Sequence, residues 1–265
     1  MDMKQKLEDL YLTYNTREFV DPDPLLFLYD YPDKKDREIA GMVASSLAYG
    51  QVALIMKAVS HVLVKMGPSL SDYLDTRTQK DMAYDFKDFV YRFAKQEHIV
   101  SFLWGTRNVV KTFGSVEACF CEGMIKPDAL VWDALDFLYC RMECAGKTGH
   151  LMADPEKASA CKRSHLFLRW MVRNDAVDPG GWDQICAASL MIPLDTHMHR
   201  IGQVLGFTQR KAADRKTVVE ITTGFKKILP EDPVKYDFCL TRFGIRKSLD
   251  MDHLKKFFAQ NQGKR

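Results

Sequence analysis

Apolar residues recur along this chain at spacings of three and four, the period of one helix face, and alternating runs of the strand type are scarce. The pattern predicts an almost entirely helical protein. Residues 1–16 place Leu7, Leu10 and Tyr11 on one side of a short helix, which Asp21-Pro22-Asp23-Pro24 ends. A long apolar stretch over 36–66 follows. Tyr49-Gly50 interrupts it, giving two helices with Gln51 at their junction, and Gly67-Pro68 stops the second. Residues 80–124 suggest three shorter helices, the middle one near 97–104 and the third ending at Gly123. A further helix is expected over 128–144.

The second half opens with a connection, 145–161, and a strong helix over 159–173 in which Phe167 and Trp170 read as core. A turn-rich insert, NDAVDPGGWDQICAAS, comes next. Asp195 then caps a helix that carries Met198, Ile201, Val204 and Leu205 at helical spacing and stops at Gly206. Two more helices are expected over 211–229 and 232–244. The last begins at Glu231-Asp232-Pro233, where proline suits a first turn and acidic residues suit the helix dipole. No internal repeat is present.

Composition narrows the class. At 265 residues and 46% hydrophobic, the chain can bury a sizeable core as one helical domain of two lobes, 1–265. Its 28% charged residues and lack of low-complexity stretches argue against disorder away from the ends. No window approaches the roughly 18 consecutive apolar residues of a membrane helix. The charged start, MDMKQKLEDL, does not resemble a signal peptide. A cytoplasmic protein without membrane partners is therefore expected. Seven scattered cysteines, an odd number, suit reduced thiols. The Cys119/Cys121 and Cys140/Cys144 spacings fit no zinc knuckle, and all four are expected as buried packing residues. His197 and His199, two apart on a helix, point in different directions. No metal and no other cofactor is expected, and no P-loop, G-x-G-x-x-G or G-x-S-x-G is present.

Charge is unevenly spread. From Pro155 onward, 20 Lys+Arg face 12 Asp+Glu, a balance of +8, whereas residues 1–154 carry 18 against 23, a balance of −5. A basic second half suits a polyanionic partner.

The chemistry concentrates in Ile192-Pro193-Leu194-Asp195-Thr196-His197-Met198-His199-Arg200-Ile201. An apolar, proline-containing approach delivers a carboxylate to a helix start. The run D-T-H-x-x-R resembles the V-D-T-H-x-x-R-V segment of endonuclease III-like proteins, members of the helix-hairpin-helix DNA glycosylase superfamily. The resemblance spans about 40–60 and 145–245, and it implies a two-lobed helix-hairpin-helix fold with Asp195 catalytic. Endonuclease III-like members place a lysine about eighteen residues before the aspartate, after an L-P-G-x-G hairpin, and neither is present here. The archaeal 8-oxoguanine glycosylases have a longer gap. Lys162, 33 residues before Asp195 at the start of an apolar helix, resembles their lysine. The hairpin would then be Asp154–Ser159, poorer in glycine.

That resemblance implies a mechanism. The Lys162 amine attacks the anomeric carbon and displaces the base, giving a Schiff base that can lead to strand incision. The amine attacks only when neutral, a form that burial and neighbouring Arg163 and Arg169 would favour. Asp195 would stabilise charge on the sugar or deprotonate Lys162. The segment Lys235–Gly244 resembles one near the end of the archaeal enzymes, which implies that Asp237 contacts the purine, although their stacking tryptophan falls at Thr241. Gln51 resembles the glutamine that contacts or replaces duplex bases, a device needed because C1′ chemistry requires an extruded base. Arg163, Arg169 and Arg200 are expected on the DNA backbone. The expected function is excision of a damaged purine from DNA. A non-catalytic nucleic-acid-binding module and an enzyme acting on nucleosides or RNA are the alternatives. The runs FLRWMVR, IPLDTHMHR and PEDPVKYDF also resemble those of a bacterial family that brings no activity with it.

Overall fold

The computed structural model describes residues 2–126, 130–246 and 249–259. The chain is mostly helical, as the periodicity predicts. Helix α1 (Met3–Tyr14) is followed by a 3-10 helix at Pro24–Asp30, then α2 (Lys34–Ser46) and α3 (Val52–Met66). Asp33 starts α2 by accepting from Lys35 N at 2.8 Å, satisfying one of the orphan amides of a first turn. Gly50 (φ +102) and Gly67 (φ +87) supply left-handed turns that break and end the apolar stretch.

Helices α4 (Leu70–Thr76), α5 (Gln79–Asp85), α6 (Gln96–Phe113), α7 (Val116–Glu122) and α8 (Val131–Glu143) complete the first half. The segment near 97–104 is thus part of an 18-residue helix. Its buried face continues through Val109, so the apolar period outlasts the weaker helix formers Thr106 and Asn108. A two-stranded antiparallel hairpin, β1 (Val90–Tyr91) and β2 (Ala94–Lys95), was not expected from the sequence. The expected start of α8 near residue 128 lies outside the described residues.

Next come α9 (Lys162–Val172), α10 (Thr196–Val204), α11 (Arg215–Lys226), α12 (Asp237–Ile245) and α13 (Met251–Ala259). The helix expected from 232 begins only at Asp237. Arg173 takes the Asp232 carboxylate in an ion pair, and residues 232–236 form turns.

The closest helix packings fall into two sets. In one, α2 packs on α3, α4 and α9, while α6 packs on α7 and α8. In the other, α1 packs on α12, which also holds α10 and α13. A continuous apolar core joins them and includes Phe167, Trp170, Phe225 and Tyr236. The cysteine expectation holds only in part: Cys119 is buried, Cys121 is half-buried, and Cys140 and Cys144 are exposed on α8 and just past its end. Among the described residues no single helix is long and apolar enough to cross a membrane.

Candidate active site

A cleft of about 640 Å³ opens where the α2–α3 junction, the start of α9, the start of α10 and one face of α12 converge. Lys162 and Asp195 both line it, together with Asp237. Residues 75 apart in sequence thereby share one wall system, each placed by a helix end.

Lys162 is the first residue of α9, and its Nζ donates to Ala48 O at 3.4 Å. The residue before it, Cys161, is held at φ +42. A non-glycine residue there costs on the order of 1–2 kcal/mol, and such strain persists where the surroundings enforce it. Ser159 Oγ accepts from Cys161 N at 3.2 Å and helps fix the turn. Burial pushes the Cys161 thiol above its ordinary range, which keeps it an inert packing group beside the amine.

Asp195 caps α10. Its Oδ1 accepts from Met198 N at 2.8 Å, and its other oxygen has no hydrogen-bond partner among the described residues. The carboxylate is therefore held rigidly at a helix start with one oxygen available to the cleft. His197 lies beside it, pressed against Gly244 so closely that a Cβ there would sit 2.0 Å from His197 Nδ1.

Asp237 forms part of the buried floor. It is 3% exposed, and Arg169 donates to its Oδ2 through Nη1. Its Oδ1 is buried with no partner among the described residues. Burial pushes the carboxyl up to about 6; Arg169 opposes the shift and the Asp195 charge reinforces it.

Arg169, expected on a DNA backbone, is instead 3% exposed. Its Nε donates to Asp178 Oδ1 at 3.1 Å while Nη1 serves Asp237. Arg173 extends the network through Asp178, Asp175 and Asp232. A guanidinium so enclosed by carboxylates cannot reach a phosphate, so the local run of positive charge misleads here.

The other expected residues divide. Arg163 lines the cleft, donates to Ser46 O at 2.5 Å and lies over the Tyr49 ring at 4.7 Å. Gln51 is the exposed N-cap of α3, between the lining residues Gly50 and Val52, and makes no side-chain cap bond. Arg200 is exposed on α10 and does not line the cleft. Thr241 lines it, with its hydroxyl donating to Asp237 O at 2.9 Å.

Three lining residues carry chemistry that the sequence did not single out. From spacing alone His197 counts only as half of a poor metal pair. Arg242 is 3% exposed and pairs with Asp23 at 3.2 Å; both line the cleft. Their partnership joins positions 219 apart, which no local pattern reports. Among the described residues, no group of three His, Cys, Asp or Glu is placed to hold a metal.

The chain belongs to the family described as Protein of unknown function (DUF2400), whose model matches residues 23–246. The match takes in every residue of the cleft named above except Pro22 among its lining positions. No curated protein and no solved structure matched the chain.

Proposed function

We propose that this protein is a DNA glycosylase that removes a damaged purine, with Lys162 as nucleophile and Asp195 as its carboxylate partner. The observation that carries this reading is the convergence of the two in one cleft, each fixed at a helix start. Lysine attack on C1′ breaks the glycosidic bond, the departing base takes a proton, and the amine remains linked to the opened sugar as a Schiff base. Asp195, with one oxygen free of the cap, is suited to accept the ammonium proton or to stabilise positive charge on the sugar. Asp237 supports base recognition, because its unpartnered oxygen can accept an N–H of an extruded purine.

The two packed helix sets, with the cleft drawing residues from both, are in keeping with a two-lobed helix-hairpin-helix glycosylase arrangement. One feature favours a second reading. Residues 144–161 join α8 to α9 with a single short 3-10 helix at Gly149–Leu151 and no glycine-rich hairpin. An enzyme that takes nucleosides or RNA, or a binding module without catalysis, would not need that phosphate grip. Borohydride treatment with lesion-bearing duplex DNA separates these. A covalent protein–DNA adduct is expected for the glycosylase; no adduct across a broad panel of lesions would exclude the lysine mechanism.

A further inference from the structure

The hairpin β1–β2 carries two costs in one two-residue turn. Tyr91 pairs with Ala94, leaving Arg92 and Phe93 as the turn. Arg92 is held at φ +52, where such a turn ordinarily uses glycine. Phe93 leaves 63% of its surface in water. Neither choice helps the fold, since the ring forgoes burial and the backbone is strained.

The turn is nevertheless fastened to the lip of the cleft. Tyr49 OH donates to Tyr91 O at 3.2 Å, and Tyr91 OH donates back to Tyr49 O. The Arg92 side chain fills the space above Gly50, where a Cβ would lie 2.5 Å from its Nη1. The rings of Tyr49, His150 and Phe93 follow one another outward from the cleft wall, with centroids 4.8 Å and 5.1 Å apart. Arg92 and Arg163 flank them, and neither forms an ion pair among the described residues. Burial and these two cations hold the His150 ring below its ordinary range, so at neutral pH it is an uncharged stacking surface.

We propose that Phe93 is the residue that enters the base stack when DNA docks on this lip, with Arg92 and Arg163 on the flanking phosphates. The assignment rests on the DNA reading above and moves the wedge role from Gln51 to the hairpin. Apolar side chains presented beside cations are what a protein inserts between base steps, and a ring stacks on any base. Gln51, by contrast, is polar and belongs to no such platform.

The test uses the full chain and a duplex carrying 2-aminopurine opposite a tetrahydrofuran abasic analogue. Wild-type protein should raise the 2-aminopurine fluorescence severalfold as the opposing base is unstacked. Phe93→Ala should remove that rise and weaken binding by about tenfold, as the loss of one base stack predicts. Its melting temperature should match the wild type, because the ring is largely exposed. Phe93→Trp should keep the rise. If Phe93→Ala keeps it, or if bound wild type gives none, Phe93 is not the wedge and the DNA reading stands. If the wild type binds no duplex at low salt, both ideas fall.

Discussion

Arg169 donates to one oxygen of Asp237 and leaves the other oxygen of that carboxylate without a hydrogen-bond partner among the described residues. The pair therefore does two jobs. It neutralises a buried charge, and it aims a spare acceptor toward the wall of the cleft that Lys162 and Asp195 also line.

The structural half of that statement can be measured. Arg169→Ala would strand Asp178 and Asp237 in the interior without their shared cation. Breaking one member of such a buried network costs on the order of 3–5 kcal/mol. Urea unfolding of the variant should show that loss. A variant that unfolds like the wild type, but binds DNA more weakly with a shallower salt dependence, would return Arg169 to the phosphate role expected from sequence.

His165 allows a test of burial by pH. It is fully enclosed against Trp132, with ring centroids 4.6 Å apart, and neither ring nitrogen has a partner among the described residues. Burial and the Arg215 charge push it down to about 3, from an ordinary value of 6.5. The folded state thus resists a proton that the unfolded chain accepts. The stability this residue allows is complete above pH 6.5 and is lost progressively as pH falls toward 3. His165→Leu removes the penalty. Denaturation at several pH values should find the variant equal or more stable near pH 7.5, with an advantage that grows by about 1.4 kcal/mol per unit below pH 6.5. A constant difference across pH would mean that the imidazole is charged in the fold.

Much of this was legible beforehand, for local reasons. Helical periodicity marked α2, α3, α9 and α10, and the glycines at 50 and 67 and the cap at Asp195 announced their ends, because these are decisions made within one turn of chain. The hairpin was not legible, since strands of two residues carry no alternation to detect. The role of Arg169 was misread because its partners lie 9 and 68 residues away. The exposed Cys140 lies between the buried Leu138 and Met142, and composition cannot say which side of a helix a small residue takes. Lys162 and Asp195 were found through a motif, and the fold supplies what the motif lacked, a common cleft.

Gly244 probes how tightly that cleft is built. Gly244→Ala would thrust a methyl group into His197, whose ring occupies the space. Overpacking of this kind costs about 1–3 kcal/mol. Because His197 lines the cleft on a short helix, relief comes most easily by rotating the ring into it. The variant should lose ligand or DNA affinity more than it loses stability, as titration beside thermal melting would show. A large fall in melting temperature with unchanged affinity would mean that α12 moves instead.

The last prediction separates catalysis from binding. Lys162→Gln keeps length and polarity at the first position of α9 but removes the nucleophile. Borohydride trapping on a lesion duplex should vanish, while DNA affinity stays within a few-fold, because one phosphate contact is a small part of a multi-contact electrostatic interaction. Asp195→Asn should slow base excision by roughly 10²- to 10⁴-fold, the range over which a positioned proton acceptor contributes. It should leave stability nearly unchanged, because the amide oxygen of asparagine can still accept from Met198 N and asparagine caps helices about as well as aspartate. Single-turnover kinetics and thermal melting on the same preparations would decide. Full activity in Lys162→Gln would make water or another group the nucleophile. Loss of activity in Asp195→Asn together with a large drop in melting temperature would reduce Asp195 to a cap.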